Sequence, residues 1–325
     1  MTNTSPQAKH RRIERKNEAQ RRVKQRRRQR VLGSLGVAVL VVALSGFGAW
    51  RLLGGAEASG GQPLHQFDTQ DFHSLAFDPD DADTIFFGHH GGMMISRDAG
   101  ITWQPGPPEN VDVMQQAIPT ADPNRRYVAG HDVFQVSVDG GETWDAPGTN
   151  LPSLDIHGFT AAPSDPDRLY AFEAQSSSFY ASVDGGATWE ARALPLGMRA
   201  GTIPLVVAAD DSEHVYAGVG GKIAESRDGG RTWQESSDLG IAIIGLAIDP
   251  ADPSAIFAAT SDGLQKRESG GVWMKLPFTA DGILLAVAVH PRDPERVAVI
   301  DRQGNFYRSD DGGRTWADKQ GDIGS

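Results

Sequence analysis

The chain has 325 residues, of which 39% are hydrophobic and 22% charged, with 38 glycines and a formal net charge of −11. It contains no cysteine, which excludes disulfides, thiol chemistry and thiolate-ligated metals. The charge is divided unevenly: the first 53 residues carry +11 and the remainder −22, so a basic tail precedes an acidic body.

Residues 1–30 hold twelve Lys and Arg against two Glu. Val31 to Trp50 is a run of 20 residues without a charge, and Arg51 follows it. A helix of that length, rising about 1.5 Å per residue, matches a hydrocarbon core of about 30 Å, so 31–53 reads as one transmembrane helix. It is longer than the roughly 7–15-residue apolar core of a cleaved signal, although Ala56-Glu57-Ala58 has the small-residue character of a cleavage site. The positive-inside rule keeps 1–30 in the cytoplasm and puts the acidic body outside, as a single-pass cell-membrane protein. Topology and attraction to anionic lipid account for the basic residues, so no nucleic-acid partner is invoked. Residues 54–62, rich in Gly, Ala and Ser, read as a short flexible tether. The exported body, 63–325, must be stable through its core alone, and its length is sufficient for that.

An eight-residue unit recurs through this body. Ser226-Arg227-Asp228-Gly229-Gly230-Arg231-Thr232-Trp233 is one copy; Ser137 to Trp144, Ser182 to Trp189 and Ser309 to Trp316 are others. Ser96 to Trp103 has Ala99-Gly100 in place of Gly-Gly, and Lys266 to Trp273 is a worn sixth copy with Glu268 and Val272. Trp103, Trp144, Trp189, Trp233, Trp273 and Trp316 are separated by 41, 45, 44, 40 and 43 residues, a period that marks a repeat architecture. The carboxylates Asp98, Asp139, Asp184, Asp228 and Asp311 can accept backbone N–H bonds within a turn, and Gly supplies positive φ beside them. Thr-Trp then suits the start of a half-buried strand.

This unit resembles the Asp-box, or BNR repeat, of the Asp-box β-propellers: sialidases, the sortilin ectodomain, xyloglucanases and the photosystem II assembly factor. The resemblance covers about residues 62–325. It implies a fold rather than a function, because the boxes of those families lie at the blade periphery. Small bacterial proteins with such boxes are often described as glycosyl hydrolases by similarity.

Each repeat reads as four strands. In the first, Ser74 to Phe77 is the inner strand, Asp78 to Asp83 a turn, Thr84 to Gly88 the second strand, and Met93 to Ser96 the third; Thr102-Trp103 opens the outer strand. The fifth repeat matches, with Gly245 to Ile248, a turn from Asp249 to Ser254, Ala255 to Ala259, and Gly263 to Lys266. Regular short strands with turn signals argue for a closed all-β array. The predicted fold is all-β, a single six-bladed β-propeller of Asp-box repeats preceded by one transmembrane helix. Thr315-Trp316-Ala317 is expected to supply the last outer strand. A seventh blade would need a cryptic repeat before Phe72. The acidic turn Asp78 to Asp83 could suggest calcium, but the same turn recurs without its acids at His290-Pro291-Arg292-Asp293-Pro294, so a plain turn is the better reading.

In a propeller, the residues opening the inner strands and closing the second strands surround one mouth of the channel. Aligning the repeats puts His73, Met114, His157, Ile203, Ile244 and Leu285 at the first position. The second holds His89, Gly130, Glu173, Val219, Thr260 and Asp301, with His90 and His131 one residue further on. Asp71, Asp112 and Asp155 stand two residues before the first three openings. Blades one to three therefore carry the chemistry, and the expected ligand site comprises His73, His89, His90, Met114, His131, His157 and Glu173. Imidazole with carboxylate behind it suits a transition metal such as copper or zinc, for which His73, His89 and His157 are the expected ligands. The alternative is a hydrated polar channel.

The sialidase pattern of three arginines, a Tyr nucleophile with Glu, and an Asp acid/base is not met. The Arg-Ile-Pro motif is absent, and the five tyrosines fall at strand positions. A general glycosidase needs only two carboxylates, and Glu173, Asp301, Asp155 and Asp262 are candidates. The sequence singles out no pair among them, which favours a binding or assembly module with a protein or glycan ligand over a hydrolase.

Overall fold

The computed structural model describes residues 62–317 apart from 70, 199, 200 and 270; the segments 1–30 and 31–53, and all of 54–62 but its last residue, lie outside the described residues. No helix among the described residues is long and apolar enough to cross a membrane.

Six antiparallel sheets succeed one another along the chain. In blade one Ser74–Phe77, Ile85–His89, Gly92–Ser96 and Gln104–Glu109 run from the inside outward. Blade two has Gln115–Ala117, Arg126–Gly130 and Val133–Ser137, and a single bridge from Val136 to Asp145 stands where an outer strand would be. Blade three is built from Ile156–Ala162, Asp165–Glu173, Ser178–Ser182 and Glu190–Arg192. Blades four and five start at Leu205–Val207 and Ile243–Asp249, and blade six at Leu284–His290. Each inner strand touches that of the next blade, and Leu284–His290 returns to Ser74–Phe77, closing the ring. The chain is a six-bladed β-propeller. The inner strands of blades five and six are apolar runs with both faces packed, whereas that of blade two is the half-buried Gln115-Gln116-Ala117.

Two details depart from the sequence reading. In blade five the strands Ile243–Asp249 and Asp252–Thr260 extend into the expected turn, which shrinks to Pro250-Ala251. In blade six the outer strand comes from the other end of the chain: His65 pairs with Phe306 and Gln66 with Asn305. Of the expected C-terminal strand, Ala317 donates its N–H to Arg308 O at 2.8 Å. The first strand of the domain thus seals its last blade, leaving only short strand edges.

The recurring units are cross-braced turns. In the third of them Asp184 Oδ1 accepts from Ser182 Oγ and Thr188 N, both at 2.8 Å, while Ser182 Oγ accepts from Gly186 N at 2.9 Å. The units at Asp98, Asp139, Asp228 and Asp311 repeat this lattice. The hydrogen bonds hold Asp139 and Asp228 down at about 2, from an ordinary 3.8; the Thr143 and Thr232 hydroxyls and amides are the main cause.

These turns also join blades. Trp189 meets Phe134 of blade two edge-on at 5.9 Å, Trp233 meets Phe179 of blade three at 5.4 Å, and Trp103 meets Phe306 of blade six at 5.2 Å. Trp144, Trp273 and Trp316 pack in the same way into clusters with Met93, Ile223 and Leu264 of the preceding blades. The second glycine of the unit is required by this contact. A Cβ on Gly186 would lie 2.4 Å from Phe134 Cζ, and the backbone there has φ +92.

Candidate functional site

The channel, about 590 Å³, is lined by the inner strands of all six blades. Its walls over blades four to six are aliphatic, with Ile244, Leu246, Leu285 and Val287 among them. Over blades one to three the lining takes in His73, Met114 and Gln116, and further imidazoles and carboxylates stand beside His73.

Turns and crossings place these groups. His90 follows the strand Ile85–His89, in the turn leading to Gly92–Ser96; His131 occupies the equivalent turn after Arg126–Gly130. The chain entering blade two passes under the first of these turns, where Val113 N donates to His89 O at 3.1 Å; further round, the chain entering blade four meets the inner strand of blade three, where Ile203 N donates to His157 O at 3.2 Å. Within blade two the approach to the inner strand is so close that a Cβ on Gly130 would lie 2.1 Å from Asp112 O. Glycine at 130 therefore brings Asp112 beneath His131.

The result is two groups joined by one acid. His73 Nε2 faces His90 Nε2 at 3.3 Å, and Asp112 lies 3.8 Å from the first nitrogen and 3.4 Å from the second. Asp71 Oδ2 holds the other nitrogen of His90, Nδ1, at 3.0 Å. Beyond Asp112 the arrangement repeats. His131 Nε2 faces His157 Nε2 at 3.2 Å, Asp155 Oδ1 lies 2.9 Å from His157 Nε2, and Asp112 Oδ2 holds His131 Nδ1. The side chain of Asp112 is only 11% exposed, and its Oδ1 is buried without a hydrogen-bond partner.

Burial, reinforced by repulsion from His90, pushes the pKa of His73 below its ordinary 6.5; burial does the same to His89. Both rings are therefore neutral at pH 7. The hydrogen bond with His90 holds Asp71 below the ordinary carboxylate value.

The expected ligand trio does not converge as a trio. His73 belongs to one group and His157 to the other. His89 joins neither: its ring stacks on Phe87 at 5.6 Å and its Nδ1 accepts the Gly91 N–H at 3.0 Å. Met114 is buried and lines the channel with His73. His90 and His131 prove to be the residues that link the blades. The sequence treats Asp71, Asp112 and Asp155 as equivalent, but Asp112 alone serves both groups.

Two of the candidate catalytic carboxylates are occupied elsewhere. Glu173 is fully buried and accepts from the Ser153 and Ser176 hydroxyls, from Gln175 N at 2.8 Å and from Ser176 N at 2.7 Å. Burial acts to raise its pKa, but these donors prevail and lower it. Asp301, also fully buried, accepts from Gln303 N at 2.9 Å, Asn305 N at 3.0 Å and Asn305 Nδ2 at 3.0 Å. Each carboxylate clamps a turn and has no face left for a substrate. Asp262 is exposed and paired with Lys275 Nζ at 3.0 Å. Asp155 alone of the four stands in the imidazole cluster.

The closed ring of six blades and the imidazole–carboxylate cluster over blades one to three define a propeller with a candidate binding face. No protein-family model matches the chain, and no curated protein does. Among solved structures it is similar to the GH74 enzyme of Niastella koreensis, with TM-score 0.55 and 16% identity over 79% of this chain and 46% of that one. The GH74 xyloglucanase of Xanthomonas campestris gives 0.53 and 19%, again over 79% and 46%. YCF48 bound to D1 peptide gives 0.51 and 17%, over 79% of this chain and 83% of that one. The chain spans less than half the length of the two GH74 proteins. At these identities the similarity establishes the propeller fold.

Proposed function

We propose that the chain is a membrane-anchored, extracytoplasmic binding or assembly module of the Asp-box type, whose ligand docks on the channel mouth over blades one to three. The observation that carries this reading is the segregation of chemistry. Two imidazole–carboxylate triples stand side by side over blades one to three, while Glu173 and Asp301, two of the four carboxylates a glycosidase could have used, are consumed by turns. A rigid ring with polar groups projecting from tight turns is suited to recognition. The ligand class we favour is a protein segment rather than a glycan. YCF48, one of the propellers this chain resembles in fold, is bound to a D1 peptide.

The test is site-specific photocrosslinking of the full-length chain in its native membrane. A crosslinker at Asp132, in the turn beside His131, should yield a discrete adduct, and one at Val272, exposed on blade five, should not. Equal labelling at both positions, or glycoside turnover by the purified chain that disappears in Asp155→Asn, would overturn the reading.

A further inference from the structure

We propose that this mouth binds two divalent transition-metal ions of the imidazole-preferring class, zinc(II) or copper(II). One is held by His73, His90 and Asp112, the other by His131, His157 and Asp155. The inference rests on the reading of the mouth as the binding face and specifies its chemistry.

Spacing is the first argument. In each triple the three donor atoms lie within 4.8 Å of one another. The paired Nε2 atoms are 3.3 Å and 3.2 Å apart. Two ligands on a tetrahedral ion with bonds of about 2.0–2.1 Å are separated by about 3.3 Å, so both pairs already have the span a single ion requires.

The second argument is orientation. A metal-bound imidazole typically gives its other N–H to a carboxylate, which fixes the tautomer and turns the free lone pair toward the ion. Asp71 does this for His90 and Asp112 for His131, each at Nδ1, leaving Nε2 directed at the partner ring. In the second group His157 Nε2 has Asp155 Oδ1 at 2.9 Å and His131 Nε2 at 3.2 Å. With His131 protonated at Nδ1, its Nε2 is an acceptor, so a single proton on His157 Nε2 faces two acceptors, His131 Nε2 and Asp155 Oδ1, and satisfies them only by being shared; an ion in place of that proton binds all three.

Third, Asp112 Oδ1 is a buried carboxylate oxygen with no donor, which is costly to leave unpaired. A cation at the first group supplies its partner. Because Asp112 Oδ2 also orients His131, this one residue couples both sites.

Two imidazoles and one carboxylate suit zinc(II) or copper(II), and without cysteine in the chain no thiolate draws in a softer ion. Three protein ligands leave a coordination position open. A carboxylate or imidazole from a docked protein segment can fill it, so the ions would form part of the recognition surface.

The test uses tag-free full-length protein in detergent, stripped with chelator and titrated with zinc(II), and with cobalt(II) to read coordination by visible absorption. Two ions per chain are expected, with the cobalt spectrum of a four-coordinate site. His90→Ala and His157→Ala should each retain one ion, and the double variant none. Asp112→Asn should weaken both sites, by about 10- to 100-fold. Thermal melting of the stripped proteins verifies that the variants fold. Failure of the wild type to retain ions, or equal stoichiometry in wild type and the His90→Ala/His157→Ala double variant, overturns the inference. A crosslinked adduct at Asp132 that survives chelation alongside either failure would leave the binding module standing without its metals.

Discussion

Substituting Gly186 by alanine tests whether the repeated turns hold neighbouring blades together. Its backbone has φ +92, and the new Cβ would lie 2.4 Å from Phe134 Cζ and 2.6 Å from Cε1. Carbon contacts are most favourable at about 3.5–4.0 Å. Left-handed backbone costs a non-glycine residue about 1–2 kcal/mol, and overpacking a filled core costs about 1–3 kcal/mol. Gly186→Ala should therefore lose about 2–5 kcal/mol. Gly185 is the control, because its φ is +69 but a Cβ there meets nothing closer than 3.2 Å, the Asp167 carboxylate. Gly185→Ala should incur only the backbone cost, about 1–2 kcal/mol. Phe134→Leu removes the offending ring atoms, so the Phe134→Leu/Gly186→Ala pair should be less destabilised than its components predict, with coupling of about 0.5–3 kcal/mol. Urea unfolding midpoints of the four proteins decide the matter. Equal losses for the two alanines, or strict additivity in the pair, would refute inter-blade packing as the role of this turn.

Three further outcomes are expected. Ala99 occupies the first-glycine position of its unit at φ 59, so Ala99→Gly should raise the unfolding midpoint, by up to about 1 kcal/mol in stability. Asp139 and Asp228 have folded pKa values near 2, below their unfolded values, so the stability they contribute is complete above about pH 4 and is lost as the pH falls toward 2. An Asp139→Asn/Asp228→Asn variant should approach the wild-type melting temperature over that interval; a constant difference would count against the turn lattice. Glu173→Gln turns one acceptor oxygen into a donor facing buried donors, and should cost about 1–3 kcal/mol in urea unfolding, whatever the ligand bound.

Blade number and most strand positions were legible because the information is local. Asp-Gly turns and short apolar runs state their conformation within eight residues, and the tryptophan spacing counts the blades. Ring closure was not legible. Two residues, His65 and Gln66, have no distinctive pattern, and their partners Asn305 and Phe306 lie at the far end of the domain. The site was legible as a sector but not as a network. Asp71, Asp112 and Asp155 stand at equivalent positions, yet their roles are set by the turns at His90 and His131 and by the close crossing at Gly130, which a repeat alignment does not register. Glu173 and Asp301 align with the mouth but serve their own loops. For Glu173 the available sign was Ser176, three residues on, whose amide and hydroxyl both donate to it.

The pairing of His65 with Phe306 has a temporal consequence. Ribosomes make the first of these strands about 240 residues before the second, a wait of some tens of seconds at about 5–20 residues per second. Throughout that interval the nascent protein is an open arc with both borders unpaired, and such borders invite association with other chains. A transcript truncated ahead of Asn305 could never complete the circle, so early termination should yield material prone to aggregate rather than a smaller soluble product.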